Sequence, residues 1–269
     1  MTGLKKTIKI LCILTLGPWL LGAAEKVASL SPALTQMVLL LDGGSALCGR
    51  SSACYFPEIS AVPVVGDLGR PFPEAVLQSR ATVVICDTLH PEANWAILQR
   101  CGVKIERFTT ANIAELPGNL RRLGRLLGRE KAAETLAADV ENKIAALKAQ
   151  TPAHRLRALV VFGVEPVISC GADVFISDVL ELSGVDNIAS GAGQGYFILN
   201  AEYIYRENPD LILIIGIPEK VVQETLQHGL LRRLPAIRQN RIIYLDAGSW
   251  SRLTPEIIDA AIELRHQLH

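Results

Sequence analysis

The sequence predicts an α/β protein with two similar lobes, each a mostly parallel β-sheet flanked by helices. Two segments 128 positions apart carry the same pattern, in which Glu74 or Glu202 opens a short helix and an apolar strand begins eight or nine residues later. The strand candidates are short, continuous apolar runs that alternate with helices, which is typical of parallel sheets covered on both faces. A repeated α/β unit indicates two lobes, and the cleft between them is a natural place for a ligand.

The first 24 residues are predicted to be a cleavable secretory signal peptide. Three lysines precede the apolar stretch 10–22, and small residues follow it up to Ala24. The stretch is broken by Gly17 and Pro18, and it is shorter than the roughly 20 apolar residues that a membrane-spanning helix needs. Cys12 lies at the start of the apolar stretch, which is not the position of a lipid-attachment cysteine. We therefore expect cleavage after Ala24 and export to the periplasm.

The composition argues against several classes of function. About 245 residues follow residue 24, enough for two lobes with their own cores. Basic and acidic residues both number 27, so no excess of charge favours nucleic acid or an anionic membrane. The sequence contains no cysteine and histidine cluster with zinc spacing and no GxSxG or HExxH motif. We therefore expect no nucleic-acid partner, no bound metal, no cofactor and no catalysis.

Five cysteines follow the predicted signal peptide, and an odd number in an oxidising compartment leaves at least one thiol unpaired. Cys48 and Cys54 are near enough in sequence to bridge a loop, although the spacing alone does not decide it. Cys54, Cys86 and Cys170 are predicted to lie near the rim of the cleft. Burial of single cysteines as small apolar side chains is preferred over a thiol metal site.

Strands and helices are predicted to alternate along both halves of the chain. In the first half they are strand 27–30, helix 31–41, short strands 46–49 and 64–65, strand 82–86, helix 91–101 and strand 103–108. In the second half they are strand 159–162, helix 174–182, helix 200–207, strand 211–215, helix 221–228, strand 242–245 and a final helix from Pro255.

The segment between the halves predicts how the lobes are joined. Residues 129–150 follow a helix at 113–127, contain no glycine or proline, and are rich in strong helix formers. Leu136, Val140, Ile144 and Leu147 mark one apolar stripe at helical spacing. Twenty-two residues at about 1.5 Å each form a rod of roughly 33 Å, long enough to cross from one lobe to the other.

The predicted domain organisation follows from this rod. Residues 25–112 form an N-terminal α/β lobe, residues 113–150 a helical segment with the interlobe helix, and residues 151–269 a C-terminal α/β lobe. Two lobes joined by one stiff helix are expected to open and close only slightly.

With these elements in place, the chain resembles the periplasmic solute-binding proteins of ABC importers that capture cobalamin, haem and ferric siderophores, the class with a single backbone helix. Residues 27–35 resemble the first strand and helix of that family. Residues 55–57 (YFP) and the following 62–66 resemble its Tyr-Pro loop and the next strand. The resemblance covers residues 26–269, and it implies a monomeric periplasmic receptor that meets a permease dimer in the inner membrane.

Glu74 and Glu202 fall where this family places its two transporter-docking glutamates. One surface glutamate on each lobe would meet matching arginines on a two-fold transporter, and such charge pairs set orientation and association rate more than affinity. Either glutamate alone is better explained as a carboxylate that stabilises a helix N-terminus. The matched pair in this architecture favours docking.

The predicted ligand site combines aromatic residues with one arginine, because a flat, hydrophobic macrocycle needs apolar walls and a few placed polar groups. Tyr196, six residues before Glu202, falls where family members carry an aromatic that faces the ligand, and Arg252 resembles a cleft arginine. The glycine-rich stretch 191–195 is interpreted as a flexible loop that delivers Tyr196. The candidate ligand-binding residues are Tyr55, Trp95, Tyr196, Phe197, Trp250 and Arg252.

Three of these candidates have a second interpretation. Arg252 either pairs with a carboxylate or phosphate of the ligand or caps a neighbouring carbonyl group. Tyr55 has the chemistry to coordinate ferric haem iron through its phenolate instead of only packing against the ligand. Trp95 lies one turn into a predicted helix, where tryptophan belongs to the core as often as to a ligand wall.

These features together predict the periplasmic substrate-binding component of an ABC importer, which captures a cobalamin-type corrinoid or an iron complex in the interlobe cleft. A corrinoid is preferred because aromatic walls and one arginine suit an amphipathic ligand, whereas siderophores often require several basic residues. One alternative is a haem or siderophore receptor of the same class. Others are an exported α/β enzyme that uses the same cleft and an accessory protein that has kept the fold but lost the ligand.

Overall fold

The computed structural model describes residues 25–88, 95–150, 152–228 and 230–268 of the chain. The predicted signal peptide lies outside these residues. No helix within the four ranges combines the length and the apolar character that a membrane crossing requires.

The N-terminal lobe is built on a six-stranded sheet in the order β4-β3-β2-β1-β5-β6, in which only β4 is antiparallel to its neighbour. Its strands and helices are β1 (Val27–Ser29), α1 (Pro32–Leu40), β2 (Leu47–Ser51), β3 (Val64–Asp67), β4 (Arg70–Pro71), α2 (Pro73–Gln78), β5 (Val83–Asp87), α3 (Trp95–Arg100) and β6 (Lys104–Phe108). Strand side chains alternate between two apolar clusters, so that both faces of the sheet are covered.

Between the two lobes in the sequence lie helices α4 (Glu115–Leu127) and α5 (Glu130–Ala149), and α5 confirms the helix predicted over residues 129–150. The two helices meet closely, because a Cβ added to Gly124 would lie 2.3 Å from the Cβ of Ala133. Arg121 of α4 also pairs with Glu134 and Glu141 of α5, at 2.8 and 2.6 Å. The buried face of α5 therefore begins with small alanines, and the predicted stripe residues Leu136 and Ile144 are only partly buried.

The C-terminal lobe carries a parallel four-stranded sheet in the order β10-β7-β12-β13. Its strands and helices are β7 (Leu156–Val161), β8 (Gly163–Val164), β9 (Val167–Cys170), α6 (Phe175–Leu182), β10 (Val185–Asn187), β11 (Tyr196–Ile198), α7 (Ala201–Glu207), β12 (Leu211–Ile215), α8 (Glu219–His228), α9 (Pro235–Arg238), β13 (Ile242–Leu245), α10 (Ala247–Trp250) and α11 (Glu256–Leu268). The predicted α/β fold with two mostly parallel sheets is confirmed.

A small antiparallel sheet in the order β11-β9-β8 was not predicted. Its strands are only two to four residues long and lie among glycines and a proline, which hides any alternating pattern. Tyr196 pairs with Cys170 and Ile198 pairs with Ile168 across this sheet. The sheet therefore sets the position of Tyr196, one of the predicted ligand-binding residues.

Arg265 fastens the end of α5 to the C-terminal lobe. This buried side chain of α11 donates hydrogen bonds to the carbonyl oxygens of Leu147 and Gln150, at 2.8 and 3.3 Å, and to that of Leu182 at the end of α6. Carbonyl groups in the last turn of a helix have no partner within the helix, so Arg265 satisfies acceptors from two helices at once.

We expect Arg265→Met to lower the free energy of unfolding by roughly 2–3 kcal/mol, because three carbonyl groups, two of them buried, lose a charged donor. Urea denaturation followed by circular dichroism measures the change. Lys143→Met is the control, because Lys143 links α5 to Asp259 of the same helix α11 through an ion pair of 2.7 Å near the surface. Such pairs contribute only about 0–1 kcal/mol. Equal losses in the two variants would contradict the proposed importance of the buried arginine.

The five described cysteines, Cys48, Cys54, Cys86, Cys101 and Cys170, carry free thiols, so Cys48 and Cys54 do not form a bridge. Burial raises the pKa of Cys86 to about 11 and that of Cys170 to about 12, which keeps both thiols protonated at neutral pH. Within the described ranges no group of three histidine, cysteine or acidic side chains is placed to hold a metal ion. The buried Cys54, Cys86 and Cys170 therefore behave as packing residues, whereas Cys101 is exposed.

Candidate functional site: a cleft between the lobes

A cavity of about 490 Å³ lies between the two lobes. The N-terminal lobe contributes residues that follow the carboxyl ends of its neighbouring strands, among them Pro32 after β1, Asp87 at the end of β5 and Thr110 after β6. The carboxyl ends of parallel strands meet at one edge of a sheet, where ligands of α/β proteins commonly bind. The wall opposite comes from the C-terminal lobe and includes Phe175 and Tyr196.

Arg252 reaches from the C-terminal lobe towards the N-terminal lobe. Its guanidinium group lies 5.3 Å from the centre of the Phe56 ring, and its Nη2 donates a hydrogen bond to the carbonyl oxygen of Gly248 at 2.7 Å. The buried Nε of Arg252 has no hydrogen-bond partner among the described residues. The side chain is thus held in place at the cavity by a ring and a carbonyl group.

Tyr196 forms the aromatic wall of the cavity. Its ring packs edge-on against Phe162, with 5.0 Å between the ring centres and 87° between the planes. Enclosure by the surrounding side chains raises the pKa of the Tyr196 hydroxyl to about 12, and the nearby Cys170 acts in the same direction. The phenol is therefore protonated at neutral pH, and it presents a neutral ring with one hydrogen-bond donor.

The loop before Tyr196 is held by hydrogen bonds, which its glycine-rich sequence did not predict. The backbone N–H of Gly195 donates to both carboxylate oxygens of Asp173, at 2.8 and 3.0 Å. The backbone N–H of Gly171 donates to the carbonyl oxygen of Gly195 at 2.9 Å. A Cβ added to Gly171 would lie 2.3 Å from the carbonyl oxygen of Gly193, so only glycine permits this contact between the two segments.

Two carboxylates and one guanidinium group line the cavity in the described part of the chain, namely Asp87, Asp173 and Arg252. Asp87 is buried and Asp173 is exposed at the rim. The formal charge of this lining is −1, which disfavours a ligand with several negative charges. Apolar side chains such as Leu68 and Phe175 supply much of the remaining surface.

The predicted ligand residues fall into two groups in the structure. Tyr196 and Arg252 line the cavity together. The other four are not among its lining residues. Tyr55 is 85% exposed beside Phe56, Phe197 packs against a C-terminal core cluster, and Trp95 and Trp250 are buried in cores. The expectation that the two tryptophans form cleft walls is thus corrected to a packing role.

Sequence reasoning missed several residues of the cavity. Phe56 supports Arg252, Asp173 holds the Tyr196 loop, and Leu68 lines the wall opposite Tyr196. A signal for Leu68 was present, because it precedes Glu74 by six residues just as Tyr196 precedes Glu202. Leu68 and Tyr196 are thus related by the same 128-residue shift as Glu74 and Glu202.

Glu74 and Glu202 are both exposed in the first turns of equivalent short helices, α2 and α7. Asn200 caps α7 by accepting a hydrogen bond from the backbone N–H of Glu202 at 2.7 Å. Neither glutamate carboxylate forms a hydrogen bond or ion pair with another residue that the structure describes. Both carboxylates are therefore available to a partner.

Comparisons with known proteins agree with this architecture. The family model described as Periplasmic binding protein matches residues 27–248. The chain is 26% identical to the vitamin B12-binding protein of Pectobacterium carotovorum subsp. carotovorum, over 97% of this chain and 95% of that protein.

Solved structures share the fold. The vitamin B12-binding protein BtuF of Vibrio cholerae has a TM-score of 0.78 at 21% identity, with 91% of this chain and 96% of that chain covered. The haem-binding protein RhuT of Roseiflexus sp. RS-1 has a TM-score of 0.76 at 24% identity, with 92% of this chain and 100% of that chain covered.

Proposed function

Because the chain belongs to the periplasmic binding protein family, we propose that it is the substrate-binding component of an ABC importer and that it carries a cobalamin-type corrinoid. As a member of this family it is a binding protein and not an enzyme. The vitamin B12-binding relative, which matches almost the whole chain, supports the choice of ligand. The permease dimer of the importer in the inner membrane would receive the ligand, and the receptor would act as a monomer.

The proposed ligand is chosen from the apolar and charged side chains that line the cleft. A corrinoid is a broad, partly apolar ring edged by neutral amide groups, whereas haem carries two propionates. The ring of Tyr196 and the side chain of Phe175 suit the face of such a ring, and Arg252 supplies one cationic donor. Asp173, which lies exposed at the rim, can accept hydrogen bonds from amide groups, but its charge would repel propionates.

Titration with cyanocobalamin and with haemin tests the proposal, and the absorbance of the protein as isolated gives a first indication because the two ligands differ in colour. We expect tighter binding of cobalamin. Arg252→Ala should weaken it about tenfold, because a half-buried charged donor is worth about 1.4 kcal/mol or more. Arg157→Ala, which removes an arginine paired with Glu207 elsewhere on the same lobe, should bind like the wild type. Tighter binding of haemin would contradict the corrinoid proposal.

A haem receptor of the same class is the second candidate, and one observation favours it. Tyr55 is largely exposed beside Phe56, which lies against the cleft residue Arg252, so its phenol is accessible to a metal at the cleft edge.

Tyr55→Phe separates the two ligands. If haem is the ligand, the variant should lose the charge-transfer absorbance of an iron phenolate while it remains folded. If cobalamin is the ligand, the change should remove at most one hydrogen bond, about 0.5–1.5 kcal/mol. Tight haemin binding that does not depend on Tyr55 would exclude the phenolate mechanism.

The signal peptide belongs to the same proposal. We propose that residues 1–24 direct export and that the mature receptor begins at Glu25 in the periplasm. Mass spectrometry of the protein from a periplasmic extract measures its N-terminus. A chain that retains residues 1–24 would contradict cleavage.

A further inference from the structure

The two lobes share a continuous apolar core. One core cluster contains side chains from both of them, among them Met37 of α1, Ile113 before α4, Val179 of α6 and Ile257 of α11. Burial of apolar surface favours contact between the lobes, but the effect has no preferred direction. The apolar contact therefore holds the lobes together and does little to fix their relative orientation.

Two side-chain hydrogen bonds cross from one lobe to the other. The Nε2 of Gln36 in α1 donates to the carboxylate of Glu256 at the start of α11. The backbone N–H of Ile113, in the segment that leaves the N-terminal sheet after β6, donates to the carboxylate of Asp178 in α6 at 3.1 Å. A hydrogen bond requires alignment of donor and acceptor, so these two bonds specify an orientation that the apolar contact does not.

The two bonds are arranged reciprocally. Gln36 lies in the helix after the first strand of the N-terminal lobe, and its partner follows β13, the last strand of the C-terminal lobe. Asp178 lies in the first helix of the C-terminal sheet, between β7 and β10, and its partner follows β6, the last strand of the N-terminal lobe. Equivalent elements are thus used twice with the lobes exchanged, as in a contact related by a two-fold axis.

The bonded residues are close along the chain to the walls of the cleft. Each of the four follows a cavity-lining residue by two or three positions. Those lining residues are Ala33, Ala111, Phe175 and Leu253. A shift at either bond therefore reaches the cleft walls of both lobes through less than one turn of chain.

Packing alone does not explain the amide group of Gln36. The residue is 8% exposed, and its amide oxygen has no hydrogen-bond partner among the described residues. A buried polar atom without a partner lowers the free energy of unfolding, whereas an apolar side chain of similar shape does not. The use that the structure shows for this amide is its bond to Glu256 of the other lobe.

We propose that Gln36 and Asp178 are positioning residues that set the width of the ligand cleft through these two hydrogen bonds. The identity of the ligand rests on the proposed function, whereas the placement of the lobes does not. With both bonds the ligand-free protein already holds its cleft walls at the separation that the ligand needs. Without them the lobes sample a wider range of orientations, and the apparent affinity falls with the fraction of molecules that are correctly placed.

The test measures the distance between two spin labels by pulsed electron paramagnetic resonance. The labels are attached through Gln78→Cys in α2 and Arg206→Cys in α7, because these exposed residues lie on opposite lobes and are related by the 128-residue shift. Cys101→Ser and Cys48→Ala remove the exposed and the half-buried native thiols from every protein that is compared. The distances report the relative placement of the lobes with and without ligand.

The variant that breaks both bonds carries Gln36→Met and Asp178→Ala. We expect a wider distance distribution than in the wild type when no ligand is present, and cobalamin should narrow it to the wild-type distribution. The Kd for cobalamin should rise about tenfold, as expected if about a tenth of the molecules have correctly placed lobes. Gln36→Met alone should widen the distribution without lowering the free energy of unfolding, which a purely structural role would not produce.

Two matched controls separate the bonds from general effects of substitution. Asp178→Asn with Glu256→Gln keeps an acceptor oxygen for each bond, so this variant should match the wild type in distances and in Kd. Asp210→Ala removes the same type of bond within one lobe, because the carboxylate of Asp210 accepts from the backbone N–H of Arg157 at 2.8 Å. It should lower the free energy of unfolding and leave the distances unchanged.

Wild-type distances or a wild-type Kd in the variant that breaks both bonds would overturn the proposal. An equally wide distribution in Asp210→Ala would also overturn it, because the effect would then follow any loss of stability. A wild-type protein that does not bind cobalamin would refute the corrinoid proposal instead. The distances of the ligand-free proteins would still decide whether the two bonds place the lobes.

Discussion

Reversing the charge of Glu74 and Glu202, the predicted docking residues, is expected to nearly abolish import while ligand binding stays unchanged. Glu74→Arg together with Glu202→Arg would place two cations opposite the basic groups of the permease, and such like-charge contacts disfavour association by several kcal/mol. Neither glutamate lines the cleft, so the affinity for cobalamin should equal that of the wild type. The free energy of unfolding should change by no more than about 0.3–1 kcal/mol for each helix-start carboxylate.

Uptake of labelled cobalamin into vesicles that carry the permease and its ATPase measures this effect. The matched control is Glu115→Arg with Glu219→Arg, because these two residues are also exposed in the first turns of helices, α4 and α8. The control changes the net charge by the same amount and should transport normally. If the double reversal at Glu74 and Glu202 docks and transports as well as the control, docking through these glutamates is refuted.

A methyl group at Gly171 is expected to weaken ligand binding about tenfold or more, although the residue makes no contact with the cavity. The Cβ of Gly171→Ala would lie 2.3 Å from the carbonyl oxygen of Gly193 and 2.7 Å from a carboxylate oxygen of Asp173. Both groups hold the loop that leads to Tyr196, so the loop must move to relieve the overlap. Overpacking of this kind typically costs about 1–3 kcal/mol. Here part of that cost would lower the free energy of unfolding, and the rest would lower the free energy of ligand binding.

Cobalamin titration and urea denaturation together separate these two parts. Gly191→Ala is the control from the same loop, because a Cβ at that position meets no atom within 4 Å and its backbone has no positive φ. It should bind cobalamin like the wild type. Equal affinities for Gly171→Ala and Gly191→Ala would mean that the position of Tyr196 does not limit binding.

The sequence alone determined the fold class, because the signals for it are local. Strand β12 is an unbroken run of five apolar residues, Leu211–Ile215, and only a sheet covered on both faces buries every side chain of such a strand. Helix α5 was predictable because its twenty residues contain no glycine or proline and are mostly strong helix formers. The glutamates Glu74 and Glu202 were found in the same way, since an internal repeat is visible without any knowledge of contacts.

Which side chains line the cleft was decided by the tertiary structure. Trp250 and Arg252 are two residues apart in sequence, yet Trp250 is 3% exposed in the core while Arg252 crosses to Phe56 of the other lobe. A position near a strand end or helix start limits where a side chain can lie, but its burial depends on which distant residues pack over it. The hydrogen bonds from the Gly195 backbone to Asp173 likewise join segments about twenty residues apart, and so does the close contact of Gly171 with Gly193. Such contacts form only when the chain has folded, and residue type and spacing therefore predicted the cleft but could not select the side chains that line it.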